Sequence, residues 1–452
     1  MQNVLLITID SLRADHVGYH GYDRDVTPNI DRIAGDGARF TNAFAHVGGT
    51  VFSFPSILTG VTPLMYGGHD RVSNRQTIVS EVFDDAGYRT GGFHSNLYLS
   101  AQFGYDRGWD EFFDSAPDES AMTKARKFAK SNLEGTPIFP LLQRGYDLLE
   151  SSGGINVGNY HVPADEITDK AIEFLRSGGD ADDPEFLWVH YMDVHHPFLP
   201  PEEYQLEFRD EPIGDRESIK LRRKFIEEPE NVTEEEYQTF IDLYDAEILF
   251  NDEEIGRLFD VVEEEWGDEY VAALTADHGE HFLEHDYFSG AKPYDVKTHV
   301  PLFFTGVGET GEYDDIVGLT DLPPTLVDVA GLDRPDSWQG HSLRGVLEGG
   351  EYPRTDVVGG WDDGENEEDY VVREDEWKLI RRHEGGDELY DLVTDPEEQT
   401  NVIDDEPAEA RRLQKRVDEH IELVRATADD DVERPDMDED VKERLRRLGY
   451  SE

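Results

Sequence analysis

The chain has 452 residues, enough for one large α/β domain, a smaller one and a substantial buried core. Its 102 acidic residues outnumber 41 basic ones, only 11 of them Lys, and the formal charge of -61 is too large to come from one acidic tail. That balance argues against a nucleic-acid partner, which needs clustered Lys and Arg, and fits a halophile-type surface that folds in concentrated, screening salt.

The absence of cysteine removes disulfides, thiolate metal sites, cysteine nucleophiles and any cofactor made from cysteine. An apolar run begins almost at Met1, which leaves no room for a secretory leader. No run approaches the roughly 18 apolar residues of a membrane span, so the reading is a cytoplasmic protein in high-salt cytosol.

In chain order, residues 4–9 predict a buried strand ending at Asp10. Thr27 and Pro28 predict a helix start, with the helix running to Ala34 and closed by Gly35 and Gly37. A strand over 39–45, a helix over 54–58, a helix over 78–86 and a strand over 88–93 follow, in the alternation of a mostly parallel sheet. Residues 115–162 lose periodicity and become rich in Gly, Pro and aromatics, which reads as an insertion near the mouth of a site. Regular patterning returns with a helix over 165–175, strands over 186–191, 270–276 and 300–305, and a long helix over 233–264. The acidic stretch 361–368 reads as a linker or long loop, so the main domain spans 1–360. A small α+β subdomain spans 361–426, with strands over 370–373 and 377–381 and a helix over 407–425. An acidic tail occupies 427–452, where 441–448 suits a helical turn or two.

Asp277-His278-Gly279 follows the run 270–276 directly, as Asp10 follows 4–9. Two strands thus deliver metal-type ligands at their carboxyl ends, where open α/β sheets place their sites. Two carboxylates and an imidazole predict a hard, mostly oxygen centre suited to Ca, Mg or Mn, with Zn also compatible. Read singly, either Asp is equally a helix N-cap or a turn former.

The segments LLITIDSLRADHVGYHGY, TPNIDRIAGDGARFTNAFA, PSILTG, HYMDVHHPF, TADHGEHFLEHD, HVPLFF and ELYDLVTDPEEQTNV occur in that order from Val4 to about Val402. Together they closely resemble the sulfatase family of the alkaline phosphatase superfamily. The resemblance implies an alkaline-phosphatase-like central, mostly parallel sheet flanked by helices, with a smaller C-terminal α+β subdomain. It also implies one divalent metal on Asp10, Asp277 and His278. The family nucleophile, ten residues before the Gly of LTG, falls on Thr50, which would also touch the metal. A threonine hydroxyl is a poor nucleophile until a metal favours its alkoxide; read locally, Thr50 is alternatively the N-cap of the following helix.

His195 opens the family's His-x-Pro-aromatic motif, here His195-His196-Pro197-Phe198, and is implied to stabilise the transferring group or protonate the leaving oxygen. His196 is the alternative, and both residues also read as loop positions held by Pro197. Lys292 resembles a family lysine that contacts the transferring or leaving group, although it stands close to Val300. His299 stands where Arg is common, with Lys297 beside it; either reads equally as an ordinary surface residue.

The departures bear on chemistry. No cysteine exists to become formylglycine, and a serine version at Ser53-Phe54-Pro55-Ser56 has Ile57 in place of Arg and lies three residues too near Gly60. Ser11 replaces the usual second Asp, while Ser95 and Leu97 stand where Lys and His are expected, with His94 and Asn96 nearby. Asn96, His196 and His299 are the remaining substrate-contact candidates. A formylglycine hydrate expels sulfate by collapsing to the aldehyde, whereas a threonine ester must be attacked at its central atom, which suits phosphate better. The implied activity is metal-dependent hydrolysis of a sulfate or phosphate ester of a glycan or other small molecule. The alternatives are transfer of a phosphoryl-linked group to an acceptor such as a glycan precursor, and a silent fold kept for binding.

Overall fold

Strand β1 (Asn3–Ile9) is buried from Val4 onward, because it lies in the middle of a sheet with both faces covered. The computed structural model describes residues 2–66, 71–115, 161–178, 183–288, 290–362 and 368–427; most of the expected insertion at 115–162 and the tail from 428 lie outside them. The eight-stranded main sheet also holds β2 (Ala38–Phe40), β4 (Arg89–His94), β5 (Glu111–Phe113), β6 (Glu185–Tyr191), β7 (Tyr270–Ala276), β8 (Leu302–Thr305) and β9 (Gly311–Tyr313). Their order is β5-β4-β6-β1-β7-β8-β2-β9. The first five run parallel, and β8 runs antiparallel to both β7 and β2.

Helices pack on this sheet, among them Pro28–Gly35, Thr50–Thr59, Ala164–Ser177 and the 33-residue Glu234–Trp266. The last starts at a capping box: Glu236 N–H donates to Thr233 Oγ1 at 3.3 Å and Thr233 N–H to Glu236 Oε2 at 2.8 Å. Among the described residues no helix is long and apolar enough to cross a membrane.

Two expectations change. The strand expected over 39–45 divides at Thr41: β2 joins the main sheet, whereas β3 (Ala43–Phe44) pairs with β10 (Val317–Gly318). The stretch 361–368, expected as a linker or a long loop, begins inside β11 (Asp356–Asp362) and ends on β12 (Glu368–Glu374). It therefore joins two antiparallel strands, and the small sheet starts at Asp356. This sheet continues through β13 (Trp377–Arg381) and β14 (Glu388–Asp391), with the helix Pro407–Ala426 packed on it.

The small sheet docks beside the start of the Thr50–Thr59 helix. Trp361, Val371, Ile380, Tyr390 and Leu392 form one apolar cluster with Val47, Phe52 and Tyr294. Backbone approaches closely there: a Cβ on Gly359 would lie 2.0 Å from the His46 carbonyl oxygen. His46 Nδ1–H donates to Val358 O at 2.7 Å, and its Nε2 faces Thr320 Oγ1 at 3.1 Å.

Burial, and next the Arg354 guanidinium, push the His46 imidazole down to about 4. An unfolded His takes its proton near 6.5, so this stabilisation is complete above that pH and is lost as pH falls through about 4, a change of about 3 kcal/mol. Urea midpoints measured at about pH 7.5 and about pH 4.5 are expected to fall further in wild type than in His46→Gln. Equal losses would show that His46 does not couple docking of the small sheet to pH.

Candidate active site

Parallel register brings the chemistry together. Ile9 pairs with Ala276 on one side and Tyr191 on the other, so β1, β7 and β6 end side by side. Asp10 N–H donates to Tyr191 O at 2.8 Å, and Asp277 N–H to Ile9 O at 3.2 Å. The residues after each strand therefore emerge at one carboxyl edge: Asp10 and Ser11, Asp277 to Glu280, and Met192 to His196. Asp10, Asp277 and His278 are buried and offer ligand atoms that all lie within 4.8 Å of one another.

Thr50 completes the group. Gly49, at φ 145°, turns the chain so that Thr50 opens the helix Thr50–Thr59, and the N-cap position is Gly49 rather than Thr50. Thr50 Oγ1–H donates to Asp10 Oδ2 at 3.2 Å, and Oγ1 lies 3.4 Å from His278 Nε2. Ser53, in the formylglycine-like stretch, instead donates its hydroxyl to Val47 O at 3.0 Å. Ser11 takes φ 60°, a left-handed backbone that non-glycine residues rarely adopt. That turn sends its N–H to Asp277 Oδ1 at 3.1 Å and its hydroxyl to Asp10 Oδ1 at 2.9 Å, so it braces both carboxylates.

The electrostatics suit a cation. Burial, and next the charge of Asp10, hold the Asp277 carboxyl well above the usual carboxylate range. Burial would raise Asp10 too, but the imidazoles of His195, His190 and His278 outweigh it and hold Asp10 below that range. Two adjacent buried carboxylates resist joint ionisation unless positive charge lies between them. Asp277 Oδ2 is buried with no hydrogen-bond partner among the described residues. His278 Nδ1–H donates to Gly279 O at 2.7 Å, leaving the Nε2 lone pair toward Thr50; burial, then Lys297, lower this imidazole to about 3. Carboxylates, hydroxyl and neutral imidazole thus fit a divalent metal with mostly oxygen ligands.

The other candidates divide. Asn96 reaches the site, its Nδ2 donating to Asp10 Oδ2 at 3.2 Å while its Oδ1 accepts from Tyr98 N–H at 3.0 Å. His195 is buried, with Nδ1–H on His196 O at 2.7 Å. His196 is engaged elsewhere: Nδ1 accepts from Arg222 Nε–H at 3.0 Å, Nε2 lies 3.7 Å from Glu280 Oε2, and the ring stacks on Phe288. The Lys292 ammonium lies over the Tyr287 ring at 4.7 Å. His299 is used for packing, bonded through Nε2 to Thr41 O at 2.9 Å and stacked on Phe44.

Lys297 is not the surface residue its local sequence suggested. It is 4% exposed, and its ammonium lies 2.8 Å from Glu280 Oε1. Its stem runs so close to the chain before Thr50 that a Cβ on Gly48 would lie 2.1 Å from Lys297 Cγ. Glu280 and Arg222 were missed by spacing, and Lys297 was named only as the neighbour of His299. The available signal for Glu280 was its place directly after the Asp-His-Gly tripeptide. His195, His196 and Glu280 also gather within 4.8 Å, but Lys297 and Arg222 already supply positive charge to that group.

A sequence model described as "Sulfatase" matches residues 2–332, and one described as "N-sulphoglucosamine sulphohydrolase, C-terminal" matches 283–427. An arylsulfatase of Clostridium perfringens is 27% identical, covering 90% of this chain and 92% of its own length. Among solved structures, the phosphonate monoester hydrolase of Agrobacterium radiobacter aligns with TM-score 0.70 at 23% identity, covering 94% of this chain and 96% of its own. A protein solved in complex with its substrate D-glucosamine-2-N,6-O-disulfate aligns with TM-score 0.71 at 20% identity, covering 96% of this chain and all of its own. With the family model spanning residues 2–332 and the fold shared over most of the chain, this chain belongs to the sulfatase family of ester hydrolases, on the alkaline-phosphatase-like fold.

Proposed function

We propose that the chain hydrolyses a sulfate or phosphate ester of a sugar or other small organic molecule, with Thr50 as nucleophile and a divalent metal held by Asp10, Asp277, His278 and Thr50. The observation that carries this reading is the position of Thr50 Oγ1, 3.2 Å from Asp10 Oδ2 and 3.4 Å from His278 Nε2. Ca, Mg and Mn suit the oxygen-rich ligands best. When bound, such a cation supplies Lewis acidity that favours the alkoxide form of a hydroxyl and offsets charge on the ester.

Thr50 Oγ1 forms a bond to the central phosphorus or sulfur as the bond to the leaving oxygen breaks. The Thr50 hydroxyl proton is released as that bond forms, and His195 Nε2, with Nδ1–H fixed on His196 O, is the ring atom that would take up a proton and pass it to the leaving oxygen. Water then attacks the same central atom, releasing the inorganic acid and regenerating the Thr50 hydroxyl. Asn96 holds Asp10 from the side, and Lys292 is the proposed contact for the transferring or leaving group. No cysteine is available for formylglycine, and a threonine ester opens only by attack at the central atom, which favours phosphate or phosphonate over sulfate. The C-terminal match to N-sulphoglucosamine sulphohydrolase supports a sugar as the carrier of the ester. The net charge of -61 supports function in high-salt cytosol.

Protein assayed in concentrated KCl with Ca, Mg, Mn or Zn is expected to turn over at least one of an aryl sulfate, an aryl phosphate, an aryl phosphonate and a phosphodiester. It is expected to retain one metal per chain, and Asp277→Ala to bind it at least about 100-fold more weakly. No turnover of any ester by metal-loaded protein would refute the hydrolase, and unchanged metal binding in Asp277→Ala would refute the ligand set.

A further inference from the structure

His190, a fully buried imidazole of β6, has no part in the scheme above. It pairs in register with Thr8 of β1, two residues before Asp10. Its Nδ1 lies 3.0 Å from Thr8 Oγ1, and Trp188 Nε1–H donates to the same hydroxyl at 3.0 Å. An indole nitrogen only donates, so the hydroxyl accepts from Trp188, and the acceptor within reach of its own proton is His190 Nδ1. The ring proton of His190 is then on Nε2. That atom is buried without a hydrogen-bond partner among the described residues and lies 3.7 Å from Asp10 Oδ2. The opposite tautomer would aim a lone pair at a carboxylate and leave the Thr8 hydroxyl proton without its acceptor.

The ring cannot easily turn away. Phe54, in the helix that Thr50 opens, meets it edge-on with centroids 4.8 Å apart, and Trp188 stacks along it at 6.3 Å. A buried N–H is costly to leave unmatched, and outer residues that orient a ligand's carboxylate tune metal binding.

We infer that His190 is a positioning residue of the metal centre: its Nε2–H turns the Asp10 carboxylate for cation binding, and Thr8 and Trp188 set the tautomer that allows this. The inference rests on Asp10 being a metal ligand.

Chelator-stripped full-length protein, titrated with Mn2+ by calorimetry in molar KCl that screens surface carboxylates, tests it. His190→Leu is expected to weaken Mn2+ binding about 10- to 100-fold, and His190→Gln, which keeps an N–H donor, to recover most of that loss. Thermal unfolding of the stripped proteins separates this from a general loss of stability: a structural role alone would lower the midpoint and leave the Mn2+ affinity of the folded protein unchanged. If His190→Leu does not fold, Thr8→Val takes its place, with a smaller loss of affinity expected. Wild-type affinity in the folded His190→Leu or in Thr8→Val overturns the inference. Wild-type affinity in Asp10→Asn overturns the metal-site reading beneath it, and the inference with it.

Discussion

Thr50→Ala is expected to lower kcat on the best aryl ester by about 10,000-fold, roughly 5 kcal/mol of barrier, because it removes the atom proposed to bond to phosphorus or sulfur. Metal binding should survive in part, since Asp10, Asp277 and His278 remain. Thr50→Ser keeps the hydroxyl at the same helix start and is expected to retain far more activity. Rapid quenching of wild type during turnover should leave a phosphoryl or sulfuryl group on the peptide that contains Thr50. Turnover by Thr50→Ala within a few-fold of wild type would end the assignment. Ser53 cannot replace it without rebuilding the turn, because its hydroxyl is bonded to Val47 O.

Lys378→Met is expected to destabilise the fold by about 3–5 kcal/mol, because it strips the cation from a buried charged group. Lys378 is 1% exposed, and its ammonium lies 2.6 Å from Asp295 Oδ1 and 2.7 Å from Glu398 Oε1. Asp295 also meets Arg373 Nη2 at 3.2 Å, and Glu398 Oε2 accepts from Asp295 N–H at 2.6 Å. Burial raises the Glu398 carboxyl to about 7 despite Lys378. Without the ammonium, the buried Glu398 and the partly buried Asp295 carboxyl groups face each other, with Arg373 as the cation still paired to Asp295. Asp295 opens the short helical turn Asp295–Thr298 that carries Lys297, so the damage should reach the site and lower activity as well. Urea unfolding of Lys378→Met, and of Lys378→Met with Glu398→Gln, checks this. The second change should recover part of the loss; a loss below about 1 kcal/mol in the single variant would show that the group is dispensable.

The small sheet thus packs against the segments that flank the candidate site. Its apolar cluster includes Val47 and Phe52 on either side of Thr50, and its Lys378 anchors the segment that carries Lys292 and Lys297.

Much of this was legible from residue order. The runs 4–9 and 270–276 are apolar throughout because both faces of a central parallel strand are covered, and each stops at an Asp. The resemblance to the sulfatase family, counted back from Gly60, made Thr50 the candidate, and its hydroxyl lies 3.2 Å from Asp10 Oδ2. Two of the small sheet's four strands, β12 and β13, and the helix Pro407–Ala426 were visible in local patterning, whereas β11, rich in glycine beside an acidic stretch, and the short β14 were not.

Local pattern decides whether a segment is strand or helix and where it stops, because side-chain alternation and turn chemistry act over a few residues. It does not decide which polar side chain turns inward. Lys297 and His299 are two residues apart on one short turn, yet Lys297 enters the interior to meet Glu280 while His299 packs on Phe44. His190 reads as one more residue of an apolar strand until strand register sets it between Thr8 and Asp10. Those outcomes belong to partners many residues away in the chain. Only the folded sheet brings them within hydrogen-bonding and ion-pairing distance, where burial makes each polar group find its match.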